Sequence, residues 1–190
     1  MIGTVSSLLS YLGIPPSESA LAEQLLVRAN AILESWIGRK LSETSYTLEA
    51  TPAPVSTIAL PVIPVKTVSL MYVLEISTSS TFLSHSDLMP TVVDPNAGLV
   101  QLQTILPGTS GYLVHVEYVA GYSSTDENYN ELETAVYELA GILYRRRGAL
   151  DVTASTLIER TEVAQTPFLS PFLEGVVQKY RMLGPAKGTL

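Results

Sequence analysis

Tyr112-Leu113-Val114-His115-Val116-Glu117-Tyr118-Val119-Ala120-Gly121-Tyr122 is the stretch whose reading decides the fold. Tyr112, Val114, Val116 and Tyr118 fall on one side, His115 and Glu117 on the other. Apolar and polar residues alternate with a period of two, the pattern of a half-buried strand. Gly98–Thr104 sets Val100 and Leu102 against Gln101 and Gln103. In Lys66–Ile76 the even residues Val68, Leu70, Tyr72, Leu74 and Ile76 are apolar and are expected to face the core. Tyr46–Ala50 and Ser56–Leu60 read as weaker strands. Asp94–Gly98 and Pro107–Gly111 carry turn chemistry, and Ser77–Ser86 reads as a loop tip rich in Ser and Thr. Together these predict an antiparallel β-meander.

On both sides of this insertion the period becomes helical. Residues 4–12 predict a short helix stopped by Gly13. Pro15-Pro16-Ser17 opens a longer one, with Ser17 as N-cap. From Leu21 to Ile37 its apolar residues, Leu26 and Trp36 included, span about 160°, wider than the roughly 100° stripe of a helix packed on one neighbour. Gly38 suits the left-handed end. Asn130 and Glu133 read as a capping box for a second long helix. Leu132, Val136, Leu139, Ala140 and Leu143 form its stripe, with Tyr137 and Tyr144 beside it. Arg145-Arg146-Arg147-Gly148 complements the negative end of that helix. Residues 149–167 show no helical period and read as an extended arm or edge strand. Ser170-Pro171 then caps a short helix bearing Phe172, Leu173, Val176, Val177, Tyr180 and Leu183, stopped by Gly184-Pro185.

The fold class expected is α+β: a small helical bundle (two long helices plus a short C-terminal helix) with an inserted antiparallel β-meander. It reads as one domain over 1–190. Within it, 1–43 holds the N-terminal helices and 44–122 the β-rich insertion; 128–148 is the second long helix and 149–190 the C-terminal arm and helix. The last helix is expected to be separable from the folded core. Trp36 reads most simply as a core position, where Trp36→Ala costs about 3–5 kcal/mol if the ring is fully buried.

Composition limits the function. Charged residues make up 15% of the chain, against about 25% in a typical soluble domain. Hydroxyls replace them, with 20 Ser and 18 Thr. No run approaches the roughly 18–20 apolar residues of a membrane span, so no membrane partner is expected. There is no Cys, hence no disulfide framework and no thiolate chemistry. Met1–Ser7 has no basic residue ahead of its first apolar ones, so no signal peptide is expected. Net charge is −7, and residues 51–130 carry six acids and one base, Lys66. Such a segment repels phosphate. A soluble chain this poor in charge hints at surface hidden in an oligomer.

Motifs for catalysis are missing. Gly108-x-x-Gly111 lacks the Gly-Lys-Ser/Thr ending of a phosphate-cradling loop. His85-Ser86-Asp87 has the residue types of a catalytic triad, but a triad is spatial and neighbours in sequence do not supply it. His115 and Glu117 share a strand face, where a carboxylate could orient an imidazole; a solvated cross-strand pair is the simpler reading. No enzyme, metal site or cofactor is expected. Arg145, Arg146 and Arg147 form the only basic run. They read as a helix end complementing its dipole, or as a contact with DNA or an acidic neighbour.

The order of these pieces resembles the head–tail adaptor (connector) proteins of long-tailed double-stranded-DNA bacteriophages. Five stretches carry the resemblance: Tyr11–Ile14; Ala31–Arg39 followed by Tyr46-Thr47; Leu60–Val68; Val116–Tyr122 followed by a helix ending Tyr144–Arg147; and Pro171–Arg181. The stretch 76–95 is long for the family, and no proline opens the helix after Tyr122.

The resemblance implies a structural virion protein: a homo-oligomeric ring, usually of twelve subunits, joining the portal protein to the next stopper or tail protein. It would extend the channel through which double-stranded DNA passes nonspecifically. Such a protein is located at the head–tail interface of the virion and assembled in the host cytoplasm. Leu26, Trp36, Ile37, Tyr137 and Tyr144 become candidates for the subunit interface. Phe168, Phe172, Val176, Tyr180 and Arg181 become candidates for the portal contact. The alternatives are another neck or tail-completion protein, such as a stopper or tail terminator, or a stand-alone α+β protein-binding module.

Overall fold

A computed structural model describes residues 1–51, 54–76, 79–106, 108, 111–150 and 170–181. The described residues gather into two units, one of 1–41 with 123–181 and one of 42–122. The first is helical and the second is built of antiparallel strands, so the α+β class holds.

In the helical unit, α1 (Val5–Leu12) is capped by the Thr4 side chain and ends at Gly13 in the left-handed conformation. The chain enters α2 (Ser19–Ile37) through a 3-10 turn over Pro16–Glu18. That turn places Ser17 inside it, so Ser17 is not the N-cap; Glu18 holds that position without a side-chain bond. The second long helix, α4 (Tyr129–Leu150), starts one residue before Asn130 and runs through Gly148. The expected capping box does not form. The turn ahead of the helix is closed by Asp126, whose carboxylate accepts from the Ser123 amide at 2.7 Å, while Glu133 accepts from the Tyr137 hydroxyl at 2.8 Å. The last helix, α5 (Pro171–Tyr180), is capped by Ser170 as expected. Of the arm expected over 149–167, residues 149–150 belong to α4 instead, and 151–167, like Leu183 and Gly184-Pro185, lie outside the described residues.

The wide apolar sector of α2 is covered by α1, α4 and α5 of its own chain. Ala22, Leu25, Leu26, Ala29, Leu33 and Ile37 are buried there. Leu173, Val176 and Tyr180 of α5 are buried in the same unit, each contributing roughly 1.5–3 kcal/mol. The last helix is therefore part of the core, contrary to the expectation that it is separable. Trp36 is 38% exposed although Leu33 and Ile37 beside it are buried, which corrects its reading as a core position; its loss should cost well under the buried-Trp figure.

The N-terminal residues are clamped into this core. Asn30, buried at 6% exposure, accepts from the Ile2 amide at 2.8 Å and donates to the Ile2 carbonyl at 3.0 Å. It also donates to the Leu26 carbonyl at 2.9 Å. The Gly3 amide donates to the Tyr129 hydroxyl and the Thr4 amide to the Tyr137 hydroxyl. A Cβ on Gly3 would lie 2.7 Å from the Tyr137 ring, so only glycine fits that step.

In the second unit, β1 (Thr44–Ala50), β7 (Tyr112–Ala120), β3 (Val65–Glu75) and β4 (Ser80–Leu83) form one sheet in that order. β2 (Thr57–Ala59), β6 (Leu99–Gln101) and β5 (Thr91–Asp94) form another. Both sheets share one core with Leu88, which comes from the one-turn helix α3 (His85–Leu88). Stretch 77–86, expected to be loop, thus supplies an edge strand over Ser80–Leu83 and the start of α3, whose last residue, Leu88, is buried. β7 alternates as predicted, with Val114, Val116, Tyr118 and Ala120 buried. Gly121, at φ 118°, approaches the Ser42 carbonyl so closely that a Cβ would sit 2.6 Å from its oxygen.

β3 departs from expectation. Val68 packs on the core opposite Tyr118, but the register then shifts between Val68 and Leu70. One extra residue reverses the facing of everything after it. Met71 and Val73 are therefore fully buried, and Leu70, Tyr72 and Leu74 lie on the other face.

Asn30→Ala should destabilise the protein by about 2–4 kcal/mol, because it strands the Ile2 amide and carbonyl in an apolar core. Urea unfolding checks this; a loss below about 1 kcal/mol would mean that water replaces the amide.

Candidate assembly surfaces

The structure sorts the residues singled out from sequence by where they lie. Leu26, Ile37 and Tyr137 are buried in the helical unit of their own chain, which corrects their assignment to a subunit interface. Tyr137 is held from three sides. Its hydroxyl donates to Glu133, accepts from the Thr4 amide, and its ring lies 5.7 Å from that of Tyr11. Burial, ahead of its hydrogen bonds, pushes the Tyr137 phenol above its ordinary value. Trp36 is exposed and Tyr144 half-buried, so these two keep surface for a neighbour.

Among the portal-contact candidates, Val176 and Tyr180 are core residues, a second correction. Phe172 and Arg181 are exposed, and Phe168 lies outside the described residues. Tyr180 and Lys179 both bond to Glu131, joining the last turn of α5 to the first turn of α4. Lys179 foremost, then the Tyr180 hydroxyl, holds the Glu131 carboxyl below its usual value. Sequence reading missed this latch. The i to i+3 and i+4 rules reach only along one helix, and Glu131 and Lys179 are far apart in sequence.

Arg145 and Arg146 are exposed on α4. Arg145 Nε donates to the Gly141 carbonyl at 3.3 Å. Arg147 continues the helix, and its side chain is outside the described residues.

On the outward face of the larger sheet, His115 is paired across the strands with Glu49 and Tyr72. Its Nδ1 lies 3.1 Å from Glu49 Oε1 and its Nε2 3.4 Å from Glu117 Oε1. The Tyr72 ring stacks on it, with centroids 4.7 Å apart and planes 11° from parallel. The β3 bulge is what brings Tyr72 to this face. The other histidine does not build a triad. Asp87 accepts from the Ser84 amide and hydroxyl at 2.8 and 2.7 Å, and the amide bond foremost lowers its pKa. His85 Nδ1 has no hydrogen-bond partner. Among the described residues no group of three or more His, Cys, Asp or Glu is arranged to hold a metal ion. No described helix is long and apolar enough to cross a membrane.

A family model described as "Head completion protein" matches residues 1–183. The chain belongs to the head completion protein family. The resemblance drawn from the ordered motifs thus holds at the level of the family. Solved structures share the fold of this head completion protein at low identity. One is a chain from the "Neck of empty GTA particle computed with C6 symmetry", with TM-score 0.61, 17% identity, and coverage of 98% of this chain and 92% of that one. Another, from the "Virion of native gene transfer agent (GTA) particle", has TM-score 0.61, 19% identity and the same coverages. A third, from the "Neck of native GTA particle computed with C12 symmetry", has TM-score 0.59, 18% identity, and coverage of 97% and 91%. No curated protein matches the chain.

The Glu131 latch sets a pH dependence. Its lowered pKa means that the stabilisation is complete above the ordinary value of 4.5 and is lost as pH falls through the folded value. Thermal unfolding of the wild type should therefore fall more steeply under acid than that of Glu131→Gln. Equal slopes would remove the latch from the account.

Proposed function

We propose that this head completion protein is a structural subunit of the virion neck, a head–tail adaptor. It forms a homo-oligomeric ring beneath the portal, extends the DNA channel, and presents a platform to the next stopper or tail protein. The observation that carries this reading is the family match over nearly the whole chain. It is supported by the same fold in particle necks computed with C6 and C12 symmetry. A ring of twelve copies suits both symmetries.

The reading needs no catalysis and no cofactor. The work is mechanical: each copy holds its neighbours and leaves a passage for DNA. The chain acts as one adaptor domain over 1–190, in the virion at the head–tail interface, after assembly in the host cytoplasm. Residues 42–122 carry six acids against Lys66 alone. Such a surface does not retain phosphate, so DNA slides past without sequence preference. Trp36 and Tyr144 serve the contact between copies, and Phe172 and Arg181 the contact with the portal.

Particles assembled without this chain should contain filled heads that fail to join tails. Purified protein added to such heads should restore joining. Tailed, infective particles formed in its absence would overturn the proposal.

A further inference from the structure

The outward face of the larger sheet has the chemistry of an arginine receptor. Glu49 and Glu117 flank the stacked rings of Tyr72 and His115. Each carboxylate sets Oε1 toward one ring nitrogen of His115, and neither makes another bond to the described residues. Their side chains are 58% and 48% exposed, while that of His115 is 13% exposed. The platform is thus fixed in place while its acids remain accessible. A guanidinium fits it better than an ammonium does. It is planar, pairs with carboxylates in a fork, and stacks on aromatic rings.

The chain carries a matching donor. Arg145 and Arg146 are adjacent and exposed on α4. The only bond Arg145 makes to the described residues is from Nε to the carbonyl of Gly141 in its own helix. A closed ring needs two different surfaces on each copy, because its contacts are heterologous. An acidic, aromatic sheet face and an arginine-bearing helix are two such surfaces.

We propose that Arg145 and Arg146 of one copy dock on the Glu49–Tyr72–His115–Glu117 face of the next copy. This rests on the ring reading above. Charge complementarity selects a second copy as the occupant, since the face repels nucleic acid and the same sequence supplies both halves.

Charge exchange tests it. Arg145→Glu with Arg146→Glu should raise the protein concentration needed for ring formation by about 10–100-fold, and so should Glu49→Arg with Glu117→Arg. The four changes together should return it to within several-fold of wild type. Circular dichroism and thermal unfolding identify any variant that fails to fold. Independently of the variants, the wild-type ring should weaken as salt is raised. Rings that form at the wild-type concentration in either two-residue variant overturn the docking, as does a four-residue variant no better than its parents. A salt-insensitive wild-type ring does so too. A wild type that forms no ring at all overturns the ring reading itself.

Discussion

The helical unit depends on one buried amide. Asn30 sits among the apolar residues of α2 and forms, with a side chain, the pair of bonds that one strand usually offers another. It takes the N–H and the C=O of Ile2 together. Without it, a peptide group would lie unpaired in a low-dielectric core, at a cost of several kcal/mol. With it, Ile2 can be fully buried, and the N-terminal residues come within reach of the Tyr129 and Tyr137 hydroxyls. Those bonds tie α4 to the start of the chain, and the Glu131 latch then ties α5 to α4. The apolar faces supply most of the stabilisation of the helices, and these polar contacts fix where each helix sits.

This changes the meaning of the charge deficit. The wide apolar sector of α2 is not a reserve of subunit interface, because α1, α4 and α5 cover it. The surface left outside that sector includes exposed apolar residues, Val27, Phe82, Val93 and Ile105 among them, together with Trp36, Phe172, the α4 arginines, and a sheet face with two glutamates around an imidazole. The proposed contact between copies draws on the charged part of it.

Much of the architecture was legible in the sequence. β7 alternates cleanly, Gly13 and Gly38 end their helices, and Ser170-Pro171 starts the last one. Each of these signals is local, set by residues within one turn or one strand. The misreadings have a common cause, which is that distant residues decide. The β3 bulge sends Met71 inward and Tyr72 outward because the register against β7 shifts. Asn30 carries no signal of its own in the sequence, because its partner is 28 positions away. Leu26, Ile37, Tyr137, Val176 and Tyr180 were correctly apolar or aromatic. Periodicity shows that a face is covered, and it cannot show whether the cover comes from the same chain. The acidic half of the candidate site, His115 with Glu117, was visible; Glu49 and Tyr72 arrived only through strand pairing.

The central claim is that this chain closes into a ring, and the most direct measurement is the mass and the image of the purified protein near the concentrations reached during particle assembly. The account predicts annular particles with cyclic symmetry and the mass of about twelve copies, in line with the C12 symmetry of a neck that shares the fold. A protein that stays strictly monomeric at high concentration, and is absent from purified particles, would contradict it.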